Sequence, residues 1–183
     1  MRCCLGNKGF TLLEVLIVLS LTIIMLGTAY YYMGNRGAKA QLKSDARDLA
    51  SNFNLARVGA IRDSRPWAVS FDTANRRYLL YSDSGEAAGS ESWDDGNETV
   101  FRTVQLSTLV SYGSQRGMRP GATSLPASGV SFTSNRVVFN PNGTSQMGSV
   151  YVTVPDGATM AVGAQSTTGL VKIWTNLSGT WSN

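Results

Sequence analysis

The sequence predicts an α+β protein: a long N-terminal helix, membrane-spanning in its first half, packed on a C-terminal antiparallel β-sheet domain. Three observations carry this. Residues 10–33 hold a single charge, Glu14, and are long enough to cross a bilayer, which takes about 20 apolar residues. Residues 38–62 carry an apolar stripe at helical spacing. Residues 63–183 break into short apolar runs with Gly, Pro, Asn and Ser between them, and no βαβ alternation is visible.

The first element is a short basic leader, residues 1–9, with Arg2 and Lys8 and a terminal Gly9. An ordinary secretory signal places its cleavage site after the apolar region. Here the best candidate, Gly9-Phe10, precedes it, so the apolar run would be retained. An ionised carboxylate in hydrocarbon costs about 2.5–3.5 kcal/mol on insertion scales, so Glu14 calls for a partner. A cut after Gly9 would give Phe10 an α-ammonium group one helical turn from Glu14. A first-turn carboxylate also complements the positive end of the helix dipole. A plain single-span anchor explains the hydrophobicity but leaves Glu14 unpaired. Arg36, Lys39 and Lys43 follow the span, so charge bias alone does not orient it.

The helix is expected over residues 10–62, with 10–33 transmembrane and 38–62 amphipathic; Gly34 and Gly37 between them favour a local loosening. Leu42, Ala46, Leu49, Phe53, Ala56 and Ala60 recur at intervals of four and three, which puts them on one face as core. Asp63-Ser64-Arg65-Pro66 stops the helix. Residues 63–183 form the β-rich domain. Strands are expected at 67–71, 77–81, 100–106, 130–132, 137–139, 150–154, 160–164 and 170–174.

Composition argues against catalysis. There is no histidine, which removes the usual general base and the commonest zinc ligand. Cys3 and Cys4 both lie in the leader, so a processed chain has no thiol and no disulfide. No phosphate-binding loop or dinucleotide fingerprint occurs. Gly113-Ser114-Gln115-Arg116-Gly117 does not match a nucleophile elbow. No catalytic residue, cofactor or metal site is assigned. A net charge of +4 and a pI near 9.3 fit a solvated surface.

The residues Gly9-Phe10-Thr11-Leu12-Leu13-Glu14 resemble the class III signal of type IV pilins and type II secretion pseudopilins. The resemblance implies that a prepilin peptidase cuts between Gly9 and Phe10 and that Phe10 is methylated. It also implies that Glu14 serves assembly with other pilin or pseudopilin subunits. The remainder resembles one branch of that superfamily, the GspH/FimT group. Ala56-Arg57-Val58-Gly59-Ala60-Ile61-Arg62-Asp63-Ser64-Arg65-Pro66-Trp67-Ala68-Val69 is similar to its helix end and first strand. Val138-Phe139-Asn140-Pro141-Asn142-Gly143 is similar to its turn, and Gly169-Leu170-Val171-Lys172-Ile173 to its last strand. The group implies a minor pseudopilin in the bacterial inner membrane, single-pass, with a periplasmic C-terminal domain, that enters a periplasmic or surface filament. Type II secretion is slightly favoured. The alternative is a minor type IV pilin in pilus assembly or DNA uptake, and a membrane-anchored binding module that is never processed is the third reading.

Three further features have both a functional and a bland reading. Between Asp83 and Glu98 lie Asp83, Glu86, Glu91, Asp94, Asp95 and Glu98 without a Lys or Arg. Oxygen ligands of this kind suit calcium, but EF-hand spacing is missing and a solvated variable loop is the reading adopted. Arg102, Arg116, Arg119, Arg136 and Lys172 form a scattered basic set. DNA-binding relatives in the group use glycine-arginine-x-arginine where this chain has Gly169-Leu170-Val171-Lys172; both arginines are missing, so the expectation is against DNA binding, with Lys172 as the residual candidate. Tyr30, Tyr31 and Tyr32 at the end of the span suit an interfacial belt.

Overall fold

The computed structural model describes residues 10–83, 98–165 and 168–183, and the backbone alone for 31–36. The leader 1–9, the interior of the acidic loop with Glu86, Glu91, Asp94 and Asp95, and the side chains of Tyr31 and Tyr32 lie outside these residues. Helix α1 (Leu12–Asp63) is one element, with Gly34 and Gly37 inside it. The chain divides into two units, one ending at Gly37 and one comprising Ala38–Asn183.

In the first unit, Leu12–Tyr30 is a 19-residue helical stretch long and apolar enough to cross a membrane, with none of it buried inside the unit. Its hydroxyls are turned back onto the helix. Ser20 Oγ donates to the Ile17 carbonyl at 2.8 Å and Thr28 Oγ1 to that of Met25 at 2.9 Å, while Thr22 donates to the Val18 carbonyl. These bonds pair the serine and threonine hydroxyls of the stretch within the helix, as a lipid surface requires.

In the second unit, the stripe expected from spacing is the buried face. Leu42, Ala46, Leu49, Phe53, Ala56 and Ala60 are fully buried. The helix stops at Asp63, followed by Ser64 in the left-handed region (φ 52°) and a bond from the Arg65 N–H to the Ala60 carbonyl at 3.2 Å. The strands are β1 (Trp67–Asp72), β2 (Arg77–Ser82), β3 (Thr99–Gln105), β4 (Ser111–Tyr112), β5 (Arg136–Phe139), β6 (Gly148–Thr153), β7 (Thr159–Gln165) and β8 (Leu170–Asn176). They form two four-stranded sheets, ordered β3-β2-β1-β5 and β4-β6-β7-β8, with all pairings antiparallel. Helix and both sheets share one apolar core. At its centre Phe53 meets Phe71, Phe132 and Phe139 with ring centroids 5.8–6.1 Å apart.

One expected strand is missing and one strand was not expected. Residues 130–132 are not a strand: Val130 makes an isolated bridge to Val150, and Phe132 leads into a 3₁₀ turn, Thr133–Asn135. The run is apolar because Val130 and Phe132 plug the core, and Ser134 and Asn135 at positive φ end any ladder. Conversely, β4 has only two residues, too few to show alternation. Polar ties fasten the helix to the sheets. Asp45 accepts from the Ser107 N–H and Oγ, both at 2.8 Å. Asn52 Nδ2 donates to Tyr78 Oη at 2.8 Å, where burial pushes the phenol up to about 12. Lys39 Nζ lies 3.1 Å from Asp156 in the β6–β7 turn. Burial opposes ionisation of Asp156, but the Ala158 N–H and Lys39 outweigh it and hold the carboxyl below its usual range.

Phe53→Ala should be the costliest single truncation of the Ala38–Asn183 unit, at about 3–5 kcal/mol for a fully buried phenylalanine. Urea melts of a fragment beginning at Ala38 would measure it. Wild type should unfold cooperatively, and a loss under about 1 kcal/mol would contradict the central position of this ring.

Candidate functional site

The start of α1 is built for a helix that begins almost at once after the Gly9-Phe10 bond. Phe10 and Thr11 are non-helical, and α1 begins at Leu12. Thr11 is the cap. Its Oγ1 accepts from the Glu14 N–H at 3.2 Å, and its carbonyl accepts from the N–H groups of Glu14 and Val15 at 3.1 and 3.3 Å. Thr11-Leu12-Leu13-Glu14 has the spacing of a capping box, in which a Thr caps the first turn and a Glu stands three residues on. Glu14 is thereby fixed in the first turn, at the positive end of the helix. Phe10 is 82% exposed. Gly9 lies outside the described residues. The role of Thr11 was missed from sequence, although the Thr-x-x-Glu pattern was there to find it.

At the other end of α1, the three segments that resemble the GspH/FimT group come together. The Asn140–Gly143 turn is closed by the Gly143 N–H on the Asn140 carbonyl at 2.9 Å. Arg57 Nε reaches the Gly143 carbonyl at 3.4 Å. Gly169, just before β8, has φ +61°, and a Cβ there would lie 2.5 Å from the Gly143 oxygen and 3.1 Å from Arg57 Nε. Gly59 packs flat on Trp67, where a Cβ would fall 2.7 Å from the indole. These glycines let the helix end, the turn and β8 close on one another. Gly169→Ala should destabilise the unit by roughly 1–3 kcal/mol from the left-handed backbone alone, with the carbonyl contact adding to it. A melting temperature unchanged from wild type would show that the contact relaxes freely.

The basic set is not gathered into one surface. Arg102 and Arg136 stand on β3 and β5 of one sheet, Lys172 on β8 of the other, and Arg116 and Arg119 in the loop after β4. Arg102 Nη1 reaches Asn52 at 3.3 Å, and Arg116 Nε donates to the Gly157 carbonyl at 2.9 Å. Arg119 is only 7% exposed. It donates to Ser149 Oγ at 2.6 Å and to the Pro120 carbonyl at 3.0 Å, and lies 4.0 Å over the Trp174 ring. Desolvation lowers its pKa. These bonds give the arginines structural work. Phosphate tracking needs clustered, solvent-facing cations.

Of the acidic loop, Asp83 and Glu98 are described, and the Asp83 N–H donates to the Pro66 carbonyl at 3.0 Å. Asp63, Arg65, Trp67, Ser82 and Asp83 line an open cleft of about 320 Å³. Its Asp63 is bound by Arg62 at 2.7 and 3.1 Å, a bond that holds the carboxyl below its usual range. Among the described residues, no group of three His, Cys, Asp or Glu is set to hold a metal ion. Tyr30 is exposed at the end of the apolar stretch.

A family model described as type II transport protein GspH matches residues 45–168, and a prokaryotic N-terminal methylation motif matches residues 5–30. No curated protein sequence matches the chain. Among solved structures, the chain is similar to the minor pseudopilin EpsH from the type 2 secretion system of Vibrio cholerae. The match has 14% identity, covers 74% of this chain and 97% of that one, and has a TM-score of 0.51. A crystal structure of the same Vibrio cholerae pseudopilin is matched at 15% identity over 74% of this chain and 94% of the other, with a TM-score of 0.49.

Proposed function

Because the chain belongs to the GspH family of type II transport proteins, we propose that it is a minor pseudopilin, a structural subunit of the filament of a type II secretion system. A prepilin peptidase removes residues 1–9, and the new amino group of Phe10 is methylated. The mature subunit is held in the inner membrane by residues 10–33, with residues 63–183 in the periplasm. It then joins other pseudopilins in a filament whose interior is made of apolar helices, with Glu14 neutralising a Phe10 ammonium of its own or of its neighbour.

One observation supports this reading above the others. A capped helix carries a 19-residue, largely apolar stretch that nothing among the described residues buries, and its single carboxylate stands in the first turn. A bundle of like helices satisfies both features, since it covers the apolar surface and supplies amines. The role is assembly, with no reacting group required. No geometric feature favours a DNA-uptake pilin, because the described cations are dispersed and Arg119 is buried.

Deleting the gene should stop export of type II substrates and leave pilus number unchanged. The protein should fractionate with the inner membrane and, after cross-linking, with filament subunits. Normal export together with loss of pili would move the assignment to a type IV pilus.

A further inference from the structure

Arg36, Lys39, Lys43 and Arg47 follow one another in α1 at intervals of three, four and four. That spacing puts them on one face of the helix, directly after the apolar stretch that ends at Tyr30. The side chain of Arg36 lies outside the described residues, so it enters by its place in the helix. Lys43 and Arg47 are exposed, and neither has an ion pair among the described residues. The carboxylates of this part of α1 are off the stripe. Asp45 is bound to Ser107, and Asp48 stands about 100° round the helix from Arg47. Lys39 shares Asp156 with Arg116, so two cations meet one carboxylate there. The face is therefore basic from end to end.

Its distance from lipid follows from the helix rise. α1 is continuous through these residues, so their Cα atoms lie about 9, 14, 20 and 26 Å along the helix beyond Tyr30. Helical side chains lean back over the preceding turn, which returns the charged heads by roughly 5 Å. With Tyr30 at the hydrocarbon edge, the headgroup layer extends about 5–8 Å further. The field of anionic lipids reaches about 8 Å beyond that. Arg36 and Lys39 fall inside this range, Lys43 at its limit and Arg47 outside it.

We propose that the Arg36, Lys39 and Lys43 face of α1 binds the anionic phospholipid headgroups of the leaflet from which the helix emerges. This rests on the reading of residues 10–33 as the membrane anchor. The contact holds the folded unit at the leaflet while the subunit waits. It is given up when α1 is drawn from the bilayer into a filament, so anionic lipid favours the waiting state. The fall of the contact along the helix separates a lipid surface from any other anionic partner. An acidic protein face or a nucleic acid would engage Lys43 and Arg47 most, because these are exposed and carry no ion pair among the described residues.

The full mature chain in vesicles tests this. Processing removes Cys3 and Cys4, so Ala40→Cys, at an exposed position between Lys39 and Lys43, supplies the sole thiol for a fluorophore. Thr168→Cys, exposed at the end of β7 away from the β6–β7 turn, is the control. Vesicles of phosphatidylcholine, with or without phosphatidylglycerol, carry the same amount of a headgroup-nitroxide phosphatidylcholine, which quenches a fluorophore that touches the headgroups. Quenching at position 40 should be greater with phosphatidylglycerol. It should return to the phosphatidylcholine value in about 1 M salt, where the field reaches only about 3 Å. Position 168 should not respond. Arg36→Gln and Lys39→Gln should each weaken the phosphatidylglycerol preference about fivefold, equivalent to about 1 kcal/mol. Arg36→Gln keeps both members of the Lys39–Asp156 pair, so its effect is free of any change in that bond. Lys43→Gln should have a smaller effect and Arg47→Gln none. Equal quenching in the two lipids, or an Arg47→Gln effect as large as that of Arg36→Gln, would overturn the proposal. A chain that does not float with the vesicles would overturn the anchor reading and the proposal together, whereas a chain that floats without preferring phosphatidylglycerol overturns the proposal alone.

Discussion

Gly9→Val leaves the protein as an uncut precursor in the membrane, its N-terminus still Met1. A peptidase must draw the scissile bond into an extended conformation against its own backbone, and a β-branched side chain beside that bond obstructs the approach. The fold supports such access on the other side of the bond. Thr11 caps α1, so Phe10 is still non-helical and exposed. The chain needs no unwinding of α1 for the bond to be reached. The effect should be all-or-none on processing, and it should extend to assembly. An uncut chain has an amide at Phe10 where the mature chain has an ammonium, so Glu14 loses its counter-charge. Intact-mass measurement of the membrane fraction decides the matter. A variant whose N-terminus is methylated Phe10 would remove Gly9 from the processing site.

What the sequence made readable was what is local. The stripe from Leu42 to Ala60 is a matter of helical period, and all six residues are buried as the spacing requires. The β1–β2 hairpin follows from alternation and from Asp72, which accepts from the Asn75 N–H at 3.1 Å and from Arg77 Nε at 2.9 Å to fix the turn. The division into two sheets is not local. It depends on β5 returning to pair with β1, Trp67 opposite Phe139, across most of the domain. Nothing in four residues of β5 specifies that partner. Arg119 illustrates the same limit: it reads as a surface cation until Ser149 and Trp174, on strands far along the chain, enclose it. The convergence of Arg57, Gly143 and Gly169 is likewise a tertiary fact, although each segment was legible as a motif. Thr11 differs, because its capping pattern was local and available.

Glu14→Ala should leave membrane insertion and processing intact and still deplete the protein from filaments. Insertion improves because the stretch Leu12–Tyr30 loses its one charge. The helix start should survive, because Thr11 Oγ1 bonds the residue-14 backbone N–H, which alanine retains. Loss of the dipole contact costs about 0.3–1 kcal/mol, too little to unfold a helix held by lipid. Assembly is where the loss falls. Among packed apolar helices the Phe10 ammonium would be enclosed, and removing one member of a buried ion pair costs roughly 3–5 kcal/mol. In the waiting subunit the amine stays at the headgroups in contact with water, and the loss there is small. The difference between the two states sets the defect, and 3 kcal/mol corresponds to more than a hundredfold in partition. The helix-dipole effect acts equally on both states and cancels. Comparison of processed membrane protein with protein in cross-linked filaments measures the ratio directly. Glu14→Gln, which keeps the shape and polarity but not the charge, should fail as Glu14→Ala does. If both variants enter filaments like wild type, charge pairing with Phe10 is not what drives assembly, and the apolar helix alone is sufficient.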